Sequence, residues 1–150
     1  MLPQPNSNKA IYHLADDDED DRMLFVEAVE ELSLPVTIRT SKDGGQLLES
    51  LYKSGESLPE IIFLDINMPI KNGFQCLKEI RGAREAFHAV KVIMLSTSNS
   101  PENIHLSYEL GADFYAIKPS TYNDLKNLLQ NVVTIDWSTA VRNKMKFLLF

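Results

Sequence analysis

Ile61-Ile62-Phe63-Leu64-Asp65-Ile66-Asn67-Met68-Pro69 is the stretch that decides the fold. Its four leading residues are continuously apolar, as in a strand covered by helices on both faces of a parallel sheet. The run stops on a carboxylate. Asn67-Met68-Pro69 and Asn72-Gly73 then turn the chain. Three other apolar runs also end on a polar residue, of differing chemical type. Ile11–Ala15 runs into Asp16-Asp17, Val92–Leu95 into Ser96, and Phe114–Ile117 into Lys118-Pro119. Were these neighbouring parallel strands, their carboxyl ends would gather three carboxylates, a hydroxyl and an ammonium around one crevice. Ligands of open parallel sheets bind there.

Between the runs lie helical patterns. Leu24, Ala28 and Leu32 recur every four residues, with Phe25 and Val29 beside them, and predict a helix over 21–32. Pro35 opens a β-branched stretch, Val36–Thr40, read as a further strand. The pair Gly44-Gly45 marks a turn before a short helix over 46–53. Phe74, Leu77 and Ile80 predict a helix ending near Arg81, and 82–89 reads as a connecting loop with at most a helical turn. Ser100-Pro101 opens a helix that stops near Leu110, with Gly111 as its cap. Leu125, Leu128, Leu129, Val132 and Val133 share one face of a last helix over 122–133. Strand and helix alternate five times, which predicts an α/β, doubly wound parallel sheet.

The totals exclude several classes. A chain of 150 residues suits one domain. A net charge of −6 disfavours nucleic acid, and no basic patch precedes Arg142, Lys144 and Lys146. No apolar run reaches the roughly 18–20 residues that span a membrane. The single cysteine, Cys76, sits in a helical pattern and reads as a small core residue. It fits a reducing, cytoplasmic setting. Residues 1–8 read as a disordered leader. Residues 134–150 carry Trp137 and end in Met-Lys-Phe-Leu-Leu-Phe, so they either pack back on the domain or bind another chain, a homodimer included.

Carboxylates pushed together raise one another's pKa unless a cation shares them. Asp16, Asp17 and Asp65, with the backbone carbonyl of Asn67, suit Mg²⁺, an ion that takes a few carboxylates and completes its shell with water and phosphate oxygens. Asp18 to Asp21 read as a solvated acidic turn. Lys118 on a buried strand needs a charge partner, which Asp65 or its phosphorylated form supplies. A cis bond at Pro119 would fix its aim. Ser96 offers a hydroxyl to a phosphoryl oxygen. The chemistry that follows is formation of an aspartyl phosphate, with Asp65 as nucleophile. His13 reads as an interior or edge histidine, and His88 and His105 receive no role.

The set Leu-Ala-Asp16-Asp17, Phe-Leu-Asp65-Ile-Asn-Met-Pro69, Lys-Asn-Gly73-Phe, Met-Leu-Ser96-Thr97 and Ile-Lys118-Pro119 resembles the receiver domain of two-component response regulators, over about residues 9–133. The resemblance implies a five-stranded parallel sheet of order 2-1-3-4-5, the flavodoxin-like arrangement. It implies Asp65 as phosphoacceptor. It implies Asp17 and the Asn67 carbonyl as direct Mg²⁺ ligands, and Asp16 as one acting through water. Ser96 and Lys118 match the signalling hydroxyl and lysine. Tyr115 matches an aromatic switch that turns inward when the hydroxyl moves to the phosphoryl group. The implied phosphodonor is a histidine kinase or a phosphotransfer protein. Neither a helix-turn-helix pattern nor an enzyme motif follows residue 133, so the expectation is a stand-alone receiver, similar to chemotaxis receivers. The Asp-Asp-Asp-Glu-Asp-Asp run and the Trp-containing extension are similar to receivers that partner phytochrome-type kinases.

Three alternatives stand beside this. A haloacid-dehalogenase-type phosphatase would want an acid where Asn67 stands, since an amide cannot donate the catalytic proton. A degenerate receiver would bind partners without phosphorylation. A flavin-binding domain of the same topology would need a phosphate-cradling loop where the acidic run lies.

Overall fold

The computed structural model describes residues 9–53, 55 and 57–149. The leader over 1–8 lies outside them. The strands are β1 (Ala10–Ala15), β2 (Val36–Ser41), β3 (Ile61–Asp65), β4 (Lys91–Ser96), β5 (Phe114–Ile117) and β6 (Leu148–Leu149). The helices are α1 (Glu19–Glu31), α2 (Gly44–Tyr52), α3 (Gly73–Ala83), α4 (Pro101–Glu109) and α5 (Tyr122–Thr134). The sheet runs β2-β1-β3-β4-β5-β6, and every pairing is parallel. The order 2-1-3-4-5 is therefore present, extended by a sixth strand at the β5 edge.

Side chains alternate across each strand, and the core divides accordingly. Ile61, Phe63, Ile93 and Leu95 pack with Phe25, Ala28, Leu128 and Val132 of α1 and α5. Ile62, Leu64, Val92 and Met94 pack with Leu47, Leu51, Leu77 and Ile80 of α2 and α3. Burial on both faces is why β3 reads as an unbroken apolar run. Cys76 is buried in the second layer, as expected of a small core residue. His13 is buried, its Nε2 2.5 Å from Ser41 Oγ.

Local chemistry sets the helix starts. Asp18 caps α1, accepting from the amides of Asp20 and Asp21 at 2.8 and 3.1 Å. The Asn72 and Gln75 side chains form a reciprocal capping box on α3. Helix α2 starts at the glycine pair rather than after it, because Asp43 caps it through the Gln46 amide. Residues Glu85–Ala89 form a 3-10 turn in the predicted loop. The Arg81 guanidinium ties α3 to the approaches of β4 and β5, donating to Val90 O at 2.8 Å, Gly111 O at 2.9 Å and Asp113 Oδ2 at 2.9 Å.

The extension packs back on the domain through residue 149. Trp137 meets the Phe114 ring edge-on at 5.5 Å. Arg142 donates to the carbonyls of Ala112 and Tyr108 and stacks over the Tyr108 ring. Phe147 is buried, and its carbonyl accepts from the Tyr115 amide at 2.9 Å. No helix among the described residues is long and apolar enough to cross a membrane.

Candidate phosphoryl and metal site

The strand ends converge as their register requires. Asp65 lies opposite Leu95, and Ser96 opposite Ile117, so each polar residue stands at the same rim of the sheet. Asp16 and Asp65 are only 2% and 3% exposed, whereas Asp17 lies in solvent. Each of the three offers a carboxylate oxygen within 4.8 Å of the others. Asp16 Oδ1 accepts from the Asp18 amide at 2.9 Å, and Asp65 Oδ1 from the Asn67 amide at 3.3 Å. These bonds orient the carboxylates. Gly73 holds the loop after Asp65 close: its amide donates to Ile66 O at 2.8 Å, and a Cβ there would stand 2.5 Å from Asp65 O.

Lys118 is the hub of the site. Its Nζ lies 2.9 Å from Asp16, 3.2 Å from Asp65 and 3.2 Å from Asp21. The Lys118–Pro119 bond is trans, since no cis peptide occurs among the described residues. The expectation of a cis bond is thus corrected: these three carboxylates set the direction of the lysine. Burial works against the ammonium, yet the Asp16 hydrogen bond and the Asp65 charge raise its pKa above the usual value. Burial also raises Asp16. It pushes Asp65 up to about 6, with the Asp16 charge adding to the effect and Lys118 opposing it. Among the described residues, three carboxylates thus pair with one ammonium, and the Asp17 carboxylate lies within 4.8 Å of two of them. The donor set is all oxygen and excess in negative charge, which fits a hard divalent cation.

Ser96 lies on the other row of β4, in line with Val92 and Met94, and is 1% exposed. Its Oγ accepts from the Ser98 amide at 3.0 Å. Ser98 O in turn accepts from the Tyr115 hydroxyl at 2.6 Å. Tyr115 is fully buried and faces inward, its ring 6.4 Å from that of Phe147. The structure brings Asp16, Asp17, Asp65 and Lys118, four of the residues singled out in the sequence, to one place. Of the Asn67 backbone, the structure fixes the amide bond to Asp65.

Two participants were missed. Asp21, read as part of a solvated turn, is ion-paired with Lys118 across 97 positions of chain. Its place in the first turn of α1, behind a cap at Asp18, was the available signal. The tail residue Phe147 reaches Tyr115, and only its apolar character hinted at burial.

Comparisons with known proteins agree with this geometry. The family model for the response regulator receiver domain matches residues 13–130. The response regulator Rcp1 of Synechocystis is 28% identical over 136 residues, covering 88% of this chain and 91% of that protein. The probable methanogenesis regulatory protein FilR2 of Methanothrix harundinacea is 30% identical over 122 residues, covering 79% and 78%. Among solved structures, the phosphorylated cyanobacterial phytochrome response regulator RcpA superposes with a TM-score of 0.77 at 28% identity, covering 89% of this chain and 96% of that one. The Mn²⁺-bound form of Rcp1 gives 0.75 at 25% identity, over 89% and 99%. Order 2-1-3-4-5, the acidic cluster at the rim and a family match over most of the length lead to one conclusion: the chain belongs to the response regulator receiver domain family.

Proposed function

We propose that the protein is a phosphoacceptor switch of two-component signalling. A carboxylate oxygen of Asp65 attacks the phosphorus of a phosphohistidine on a histidine kinase or phosphotransfer protein. The new P–O bond forms as the P–N bond breaks, and the imidazole leaves with the electron pair and takes a proton. The observation that carries this reading is the buried Asp65 carboxylate held at one rim with Lys118, Asp16 and Asp17. Phosphoryl transfer asks the protein chiefly for positioning and charge neutralisation. Asp16, Asp17 and Asp65, with the Asn67 carbonyl, would hold Mg²⁺, whose charge offsets that of the phosphoryl oxygens. Lys118 neutralises a further oxygen.

Ser96 then donates its hydroxyl to the phosphoryl group. Its oxygen accepts from the Ser98 amide while its proton stays free to give, and Ser98 O holds the Tyr115 hydroxyl, so a shift of Ser96 toward the phosphoryl group moves the loop after β4 and Tyr115 together. The changed surface at α4 and β5 is read by another protein. The likeness to RcpA, a phytochrome response regulator that spans 89% of this chain, supports a phytochrome-type kinase as donor. Incubation with acetyl phosphate and Mg²⁺ tests the core of this reading. The intact mass is expected to rise by one phosphoryl group, and not to rise in Asp65→Asn or with a chelator. An undiminished gain in Asp65→Asn would remove Asp65 from the role. Transfer from purified candidate kinases checks the donor class.

A further inference from the structure

Asp21 has no place in the chemistry described so far, yet it makes one of the three ion pairs of Lys118. The lysine's other two partners, Asp16 and Asp65, are buried at the sheet rim. Asp21 instead stands on the first turn of α1, with its side chain 45% exposed. One bond fixes that turn internally and one ties it to the rim. The Asp18 carboxylate accepts from the Asp21 amide at 3.1 Å, and the Arg22 guanidinium donates to Asp16 O at 2.8 Å. Asp21 is thereby fixed within 3.2 Å of the lysine rather than free in solvent. A cavity of about 160 Å³ between α1 and α5, lined by Asp16, Asp21, Lys118, Leu24 and Tyr122, leaves the ammonium room to move.

We infer that Asp21 is a positioning residue that competes with the group on Asp65 for the Lys118 ammonium, and so sets how tightly the phosphoryl group is held. The inference rests on the reading of Asp65 as phosphoacceptor. One ammonium has three protons to donate. Each one given to Asp21 is withheld from an oxygen on Asp65. Removing Asp21 leaves Lys118 bound only toward the rim, where the phosphoryl oxygens would lie. Asp21→Asn keeps the shape of the side chain and leaves the cap at Asp18 intact. Asp20→Asn is the matched control, because Asp20 shares the same helical turn and is exposed.

The test uses the full chain, Mg²⁺ and beryllium fluoride, whose BeF₃⁻ form exchanges a water for a carboxylate oxygen and so imitates a phosphoryl group. Fluorine NMR separates bound from free fluoride and gives the affinity. Asp21→Asn is expected to bind about two- to fivefold more tightly, the range of one part-exposed ion pair. Asp20→Asn is expected to match the wild type. In a Lys118→Gln background the Asp21→Asn gain should vanish, and Lys118→Met completes the same cycle if the amide folds poorly. Unchanged affinity in Asp21→Asn overturns the inference. So does an equal gain in Asp20→Asn, or one that persists without Lys118, since either reports bulk charge. Absence of any adduct on the wild-type chain overturns the phosphoacceptor reading itself, and the inference with it.

Discussion

Asp65 carries an energetic cost that the proposed phosphoacceptor role would explain. Its carboxyl is buried and faces Asp16, and its pKa in the folded chain rises from the ordinary 3.8 to about 6. Between those values the folded state holds a proton that the unfolded state has released. Stability therefore falls as pH rises through the window, and the cost is complete above it. Asp65→Asn is expected to stabilise the metal-free protein by about 1–3 kcal/mol at neutral pH, and by almost nothing in acid below the window. Urea titrations at both pH values measure this. A stabilisation independent of pH would place the cause elsewhere. At this scale the sequence was a good guide for residues that end an apolar run, because strand ends fix a side chain's position. It failed for Asp21, whose partner lies 97 positions away, since helix starts are acidic for capping and dipole reasons alone.

The extension is the element whose behaviour the sequence left open. Its strand β6 has two residues, too few to show a period, and its pairing with β5 depends on the fold being present. Aromatic and apolar content predicted that the segment needs a partner but not which one. In the structure the partner is the same chain: Phe147 is 2% exposed, lying 5.3 Å from the Tyr108 ring. Phe147→Ala is expected to cost about 3 kcal/mol, the scale of a large buried aromatic, and equilibrium unfolding reads it. Light scattering separates a tail that closes on its own chain from one that joins two. Truncation after Val133 should leave the number of protomers in the particle unchanged. A halved mass would show the tail bridging two copies. The link from Phe147 to Tyr115, and on through Ser98 to Ser96, also makes the tail part of what a phosphoryl group on Asp65 would disturb.

On the scale of the whole molecule, a parallel sheet buried on both faces leaves its polar chemistry at one rim. The alternation that divides the core into an α1/α5 layer and an α2/α3 layer also sorts the site. Asp65 continues one row of β3, and Ser96 the opposite row of β4. This is why four strands and their ends were legible from hydrophobic runs alone, while ties made after folding, such as Arg81 to Asp113, were not. Uncompensated charge at the rim is also expected to couple the fold to a cation. Mg²⁺ at about a hundred times its Kd is expected to stabilise the protein by about 2.7 kcal/mol. Asp17→Asn, a change at an exposed position, should remove most of that gain, as thermal unfolding with and without a chelator shows. The most direct measurement is chemical location of the phosphoryl group. After reaction with a small phosphodonor and Mg²⁺, borohydride reduces an acyl phosphate to an alcohol, and peptide masses locate the reduced residue. Reduction confined to Asp65 is the expected result. A reduced residue at Asp16 or Asp17, or none on a chain that binds Mg²⁺, would contradict the assignment.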